Sequence, residues 1–130
     1  MDKLSVKTGS KKDFLDITSK VKNLVNTNNW IDGVINLYVP HTTAGITINE
    51  SADPDVRIDI QNKLKDLVPA DGSYRHREGN SDAHIQSSII GNSTRVFVED
   101  GSLKLGTWQG IFFCEFDGPR SRNVWVKLSK

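Results

Sequence analysis

Apolar and polar residues alternate from the first turn of the sequence onward. Leu4, Val6 and Thr8 are separated by Ser5 and Lys7, the period-two pattern of a strand with one buried face. Gly9-Ser10-Lys11-Lys12 reads as a turn and Phe14 to Ile17 as the strand returning from it, so the pattern predicts a first hairpin. Thr18 or Ser19 can cap a helix in which Val21, Leu24 and Val25 share one face, before Asn26 to Asn29 break it. Between Gly33 and Pro40 the apolar residues are nearly continuous, which predicts a central strand covered on both faces. Ala44 to Glu50 alternates again. Asp53-Pro54 then supplies an acceptor side chain followed by proline, and Val56, Ile60, Leu64 and Leu67 recur at helical spacing, predicting a helix over 54–67.

Residues 70–80 read as a polar loop containing the dense run Tyr74-Arg75-His76-Arg77-Glu78, and Ser81 can cap a second short helix through Ile90. Thr94 to Val98, Ile111 to Phe116 and Val124 to Leu128 are rich in β-branched and aromatic residues and are separated by glycine-containing turns, predicting three further strands in an antiparallel, meander-like C-terminal half. The pattern sums to one α+β domain over residues 1–130, a mainly antiparallel sheet of about seven strands with two or three helices.

Composition narrows the function classes. A chain of 130 residues can bury a core without disulfides or a structural metal. Seventeen Lys and Arg against sixteen Asp and Glu leave a net charge of +1, which removes the electrostatic footprint of a general nucleic-acid coat, so no nucleic-acid partner is expected. Cys114 is the sole cysteine; it excludes an intrachain disulfide and a multi-cysteine zinc finger and is compatible with a reducing cytosol. Met1 to Asp16 lacks the apolar run of a signal peptide and no stretch suits a membrane span, so the expectation is a cytoplasmic protein without a membrane partner.

The candidate chemistry is thinly spread. His41, His76 and His84 fall at a strand end, in the polar loop and in the first turns of a helix; together they would suit a zinc-type ion with an open fourth position, although no His-x-x-x-His pair occurs and a surface histidine is the ordinary finding. His41-Thr42-Thr43-Ala44-Gly45 follows an apolar strand and could offer donors to an oxyanion or phosphate, or simply satisfy a turn. Glu50, Asp53 and Asp55 precede the long helix, where its dipole favours acids whether or not they are catalytic. Arg75, Arg77, Arg120 and Arg122 flank loops and could grip phosphate, or be solvated there. Trp108 lies between Gly106 and Gly110, its ring lining a pocket or folded back on the sheet, with Gln109 offering donor and acceptor. Alternation places Phe112, Cys114 and Phe116 on one face and Phe113 with Glu115 on the other, and an acid in so apolar a strand needs a partner: an arginine, a metal-bound histidine or a substrate donor.

Several of these segments together resemble a known family. Pro40-His41-Thr42-Thr43-Ala44-Gly45, Ile48 to Val56, Tyr74 to Asn80, Ala83-His84-Ile85 and Leu105 to Ile111 with Cys114 to Arg120 closely resemble the YjbQ-like family, also called secondary thiamine-phosphate synthase enzymes, and the likeness runs from about residue 4 to 128. The resemblance implies a compact α+β subunit with a curved antiparallel sheet, assembled as a homotrimer. It implies a divalent metal, zinc or, with a diphosphate substrate, magnesium, held by His41, His76 and His84. It places Glu50, Asp53 and Glu115 in the same pocket as catalytic groups, with Thr42, Thr43, Arg75, Gln109 and Arg120 on the substrate side. The implied reaction joins hydroxymethylpyrimidine diphosphate to thiazole phosphate with loss of pyrophosphate. Metal-assisted phosphoester hydrolysis, or a non-catalytic trimer binding a metal or anion, are the alternatives.

Overall fold

In the computed structural model, which describes residues 1–130, the elements follow as β1 (Asp2–Lys7), β2 (Asp13–Asp16), α1 (Thr18–Thr27), β3 (Gly33–Tyr38), β4 (Ala44–Glu50), α2 (Pro54–Leu67), α3 (Ser81–Ile90), β5 (Ser93–Glu99), β6 (Ser102–Lys104), β7 (Gln109–Glu115) and β8 (Ser121–Ser129). Five strands form one sheet in the order β1-β8-β3-β5-β6 and three form a second in the order β2-β7-β4. Every pairing is antiparallel. The α+β class and the antiparallel pattern agree with the sequence. The strand not expected from the sequence, β6, has three residues and one apolar side chain, Leu103, too few to show a period.

The main core joins the two sheets: Ile35, Leu37, Val124 and Val126 of the large sheet share it with Ile46, Ile111 and Phe113 of the small one, and α1 adds Val21 and Val25. The other face of the small sheet carries Phe14, Phe112, Cys114 and Phe116, which pack with Leu64 of α2 and Ala83 of α3. Each large side chain so buried stabilises the fold by about 1.5–3 kcal/mol. The alternation expected of β7 is therefore present, with its two residue sets in two different cores.

Three expectations change. The doubly covered strand is β7, buried from Gly110 to Glu115, rather than β3. β3 is central in its sheet, but only Ile35 and Leu37 are buried, while Val34 and Asn36 are half-buried and Tyr38 is exposed. The first hairpin does not form: β1 runs beside β8, from Asp2 opposite Val126 to Lys7 opposite Ser121, and β2 runs beside β7. Residues 8–12 cross between the sheets and are tied there by Thr8 N–H to Arg120 O (3.0 Å) and Gly118 N–H to Lys11 O (2.8 Å). Nor is the C-terminal half a meander, because β7 leaves for the small sheet and β8 returns to the large one.

The helix starts also differ from expectation in detail. α1 begins after Ile17, and Asp16 Oδ1 accepts both the N–H and the hydroxyl of Thr18 (2.9 and 2.6 Å). α3 begins after Asn80 with no side-chain cap. α2 starts as predicted: Asp53 Oδ1 accepts the Asp55 N–H at 3.0 Å and Pro54 occupies the first turn. Leu67, one of the four apolar residues at helical spacing, is 63% exposed at the end of that helix. Asp53→Ala will lower the unfolding free energy by about 1 kcal/mol, read from urea denaturation, through loss of this cap. No helix is long and apolar enough to cross a membrane.

Candidate functional site

Polar chemistry gathers at both ends of β4. His41, Thr42 and Thr43 precede its first residue and Ser51 to Asp53 follow its last. A seven-residue strand at roughly 3.3 Å per residue sets these ends about 20 Å apart.

At the histidine end, α3 is latched to the segment before β4: Ser87 Oγ donates to Thr42 O at 2.6 Å. One turn earlier on that helix is His84, which lines an open cleft of about 490 Å³ with His41, Thr42 and Ser88. A second cleft of about 400 Å³ shares Thr42 and His84 and adds Lys11, Asn80, Asp117 and Arg120, with no apolar lining residue. Both clefts thus open on one mouth. His76, from the 70–80 loop, sets its ring edge-on to His84 with centroids 5.4 Å apart, and its Nε2 lies 3.7 Å from Glu78 Oε2. Lys12 braces the helix from below: its Nζ pairs with the buried Asp82 carboxylate at 2.8 Å and donates to Gln86 Oε1 and Phe116 O.

His41 is fixed from the opposite side. Its Nε2 accepts the backbone N–H of Asn123 in β8 at 2.9 Å. Burial, and after it the positive charge of Arg122, hold its pKa below the usual histidine value. The ring is therefore neutral near pH 7.

Glu115 finds its partner in Arg122. The carboxylate is fully buried and accepts from Arg122 Nε at 2.9 and 3.2 Å, from Arg122 Nη2, from Thr8 Oγ1 at 2.7 Å and from the Asp117 N–H at 3.1 Å. Arg122 Nη2 also donates to Thr43 O and Oγ1 at 3.2 and 2.8 Å. Burial works to raise the Glu115 carboxyl; hydrogen bonds from Arg122, Thr8 and Asp117 and the arginine charge outweigh it and keep the pKa below the usual glutamate value. Each oxygen is already occupied. This geometry suits a structural ion pair and leaves no free lone pair to carry a proton to substrate, and it takes Arg122 out of the loop-flanking group that could grip phosphate.

The remaining predicted residues divide between the ends. Arg120 stands at the histidine mouth, its Nη2 3.1 Å from Asp117 Oδ2. Arg75 is exposed on the 70–80 loop. Glu50 and Asp53 lie at the far end of β4, where Glu50 Oε2 accepts the Ala52 N–H (3.0 Å) and Asp53 caps α2. Gln109 sits opposite Glu50, and its Oε1 accepts the Gly106 N–H at 2.8 Å to close the turn that displays Trp108, 63% exposed. The Trp ring is thus not folded back on the sheet. Gln109 instead lines a separate cleft of about 550 Å³ between β4 and β5. Within one subunit, then, Glu50, Asp53 and Gln109 do not share the histidine pocket.

The three-histidine ligand set does not fit this arrangement as folded. His41 Nε2 is engaged by a backbone N–H, and no three His, Cys, Asp or Glu side chains converge to hold one ion. His76 and His84 remain adjacent. Lys11 and Asp117 join the mouth without having been singled out in the sequence; Lys11 sits in what reads as an ordinary turn, and Asp117 is brought in by the chain reversal after β7.

The family model described as UPF0047 protein YjbQ-like matches residues 2–130. The chain belongs to the YjbQ-like family. UPF0047 protein MJ1081 of Methanocaldococcus jannaschii is 51% identical over 126 residues, covering 97% of this chain and 91% of that protein. UPF0047 protein YugU of Bacillus subtilis is 48% identical over 126 residues, with 96% of each covered. Among solved structures, an uncharacterized conserved YjbQ/UPF0047 protein of Clostridium acetobutylicum superposes with a TM-score of 0.95 at 52% identity, over 99% of this chain and 100% of that one. The hypothetical protein TT1486 of Thermus thermophilus gives 0.93 at 42% identity, again over 99% and 100%. The two-sheet arrangement is therefore that of the YjbQ-like fold.

Proposed function

We propose that this YjbQ-like chain is a cytoplasmic enzyme of phosphorylated metabolites with thiamine-phosphate synthase activity, joining hydroxymethylpyrimidine diphosphate to thiazole phosphate with release of pyrophosphate. The observation that carries this reading is the mouth around Thr42 and His84, whose second cleft has only polar lining and brings Lys11 and Arg120 beside a histidine pair. Departing pyrophosphate needs positive charge and N–H or O–H donors around its oxygens; Lys11, Arg120, Thr42 and Thr43 are of those types, and the same cleft carries the carboxylates of Glu78 and of Asp117, the latter paired with Arg120. His76 and His84, whose rings lie edge-on with centroids 5.4 Å apart, are the residues that would hold a divalent ion, zinc or magnesium, which when bound would supply further charge neutralisation at phosphate oxygens. Assembly as a homotrimer belongs to the proposal, and the outer face of β3 and its neighbours supports it: Tyr38 stacks on Trp125 with centroids 5.7 Å apart, and Phe97, 62% exposed, lies farther along the same face opposite Val34. In such an assembly Glu50 and Gln109 would join the mouth only from a neighbouring subunit.

A second reading is favoured by the commitment of Glu115. With that carboxylate saturated and Glu50 at the other end of β4, the mouth suits a module that binds a phosphorylated ligand without turning it over. One assay separates the two. The purified protein, incubated with both thiamine precursors and with zinc or magnesium added, is expected to release pyrophosphate, and His84→Ala to do so at least about tenfold more slowly, a loss of about 1.4 kcal/mol in transition-state stabilisation. Binding of the diphosphate without release selects the binding module. Neither binding nor release defeats both.

A further inference from the structure

The bond between His41 and Asn123 decides which nitrogen of the ring is free. β3 and β8 are paired as far as Tyr38 opposite Trp125, and two more steps of that register would set Pro40 opposite Asn123. The chain parts from β8 there, where the β3–β8 pairing ends, while keeping to β5: the Val39 N–H goes to Asn92 O at 2.7 Å, the next step of the β3–β5 register. Asn123 pairs with Ser5 on its other side, and its N–H, lacking a β3 carbonyl, is taken by His41 Nε2 at 2.9 Å. The imidazole thus completes the ladder where the backbone departs. A backbone N–H cannot surrender its proton, so Nε2 must be the unprotonated nitrogen, and a neutral ring then carries its hydrogen on Nδ1. Arg122, next to Asn123, is held by Glu115 and Thr43, so the donor is anchored in the buried interior.

We infer that His41 is locked as the Nδ1–H tautomer and serves the mouth as a hydrogen-bond donor to a phosphate oxygen, not as a third metal ligand. With Nε2 accepting an N–H, ligation through Nδ1 would require the ring to lose its remaining proton and become an imidazolate. No protein acceptor takes the Nδ1–H, and the ring lines the cleft it shares with Thr42 and His84. The donor role rests on the reading of this mouth as a phosphate site; the tautomer and the exclusion of metal do not.

The test uses the whole protein labelled with ¹⁵N-histidine. Long-range ¹H–¹⁵N correlations, assigned by comparison with His76→Ala and His84→Ala, are expected to show His41 with a protonated Nδ1 and an unprotonated Nε2, unchanged when zinc is added. An Nε2–H tautomer, or a His41 nitrogen moved by zinc, overturns the inference. Variants supply the second readout, with inorganic pyrophosphate as the probe. Glutamine can accept the Asn123 N–H through its oxygen and donate through its amide, so His41→Gln should bind pyrophosphate within about threefold of the unaltered protein and take up the same zinc, while His41→Leu should bind at least about tenfold more weakly. Loss of zinc uptake in His41→Gln, or unweakened pyrophosphate binding in His41→Leu, contradicts it. If the unaltered protein binds no pyrophosphate, the donor role falls together with the proposed function, whereas a failed tautomer leaves the proposed function standing.

Discussion

Glu115→Gln will lower the unfolding free energy by about 3–5 kcal/mol, because it strips the charge from one half of a buried pair and leaves the other uncompensated. Arg122 is 4% exposed and Glu115 is fully buried, so neither can turn to water. The guanidinium would keep only neutral acceptors, the carbonyl and hydroxyl of Thr43 and the amide oxygen of the substituted side chain. A loss of that size is a large share of the 5–15 kcal/mol typical of a domain. Urea denaturation followed by circular dichroism measures it, and a loss below about 1 kcal/mol would show that the pair is not a stabilising tie. Its pH dependence has a definite sign. The folded pKa of Glu115 lies below its unfolded value, so the pair's contribution is complete above the unfolded pKa of about 4.3 and is lost as pH falls through the depressed folded value. Stability of the unaltered protein should therefore decline on acidification below about pH 4.3 more steeply than that of Glu115→Gln.

Phe113→Ala will cost about 3–5 kcal/mol by the same measurement. The ring is fully buried in the core between the two sheets, beside Ile46 of β4, to which it is paired, and Leu15 of β2 on the other side. A strand held between two others cannot move inward to fill the space left, so the cavity term adds to the transfer term. Leu67→Ala, at an apolar position that shares the helical spacing of Ile60 and Leu64, should change stability by no more than about 0.5 kcal/mol, since that side chain already faces water. Equal effects at the two positions would contradict the layer arrangement.

Periodicity carried the sequence reading well where one residue's burial is set by its own strand or helix. The split of β7 into Phe112, Cys114 and Phe116 against Phe113 and Glu115 is visible in six letters, and the start of α2 in two. Partner choice is another matter. Nothing local in Leu4 to Thr8 distinguishes pairing with Phe14 to Ile17 from pairing with β8, because the deciding contacts are with residues more than a hundred positions away. The same limit governs the site. Glu115 stood out as an acid among apolar residues, but Arg122 read as one of four loop arginines until β8 was seen to turn it inward. The three histidines do reach one end of the molecule, yet the nitrogen that Asn123 occupies on His41 depends on where β3 parts from β8. Glu50 follows His41 closely in the sequence and is remote from it in space, since an extended strand separates the two by its whole length, and Gln109 lies opposite Glu50 at that far end.

The pairing of β1 with β8 and of β2 with β7 also sets a timetable for synthesis. Both early strands wait for partners made roughly a hundred residues later, so neither sheet can close until those strands have been made. Until residues beyond Gln109 emerge, the apolar faces of Leu4, Val6 and Phe14 have no permanent neighbour. Contacts so distant in sequence close slowly, and exposed strands are prone to associate in the meantime. The exposure of these early strands therefore ends only once β7 and β8 have been made.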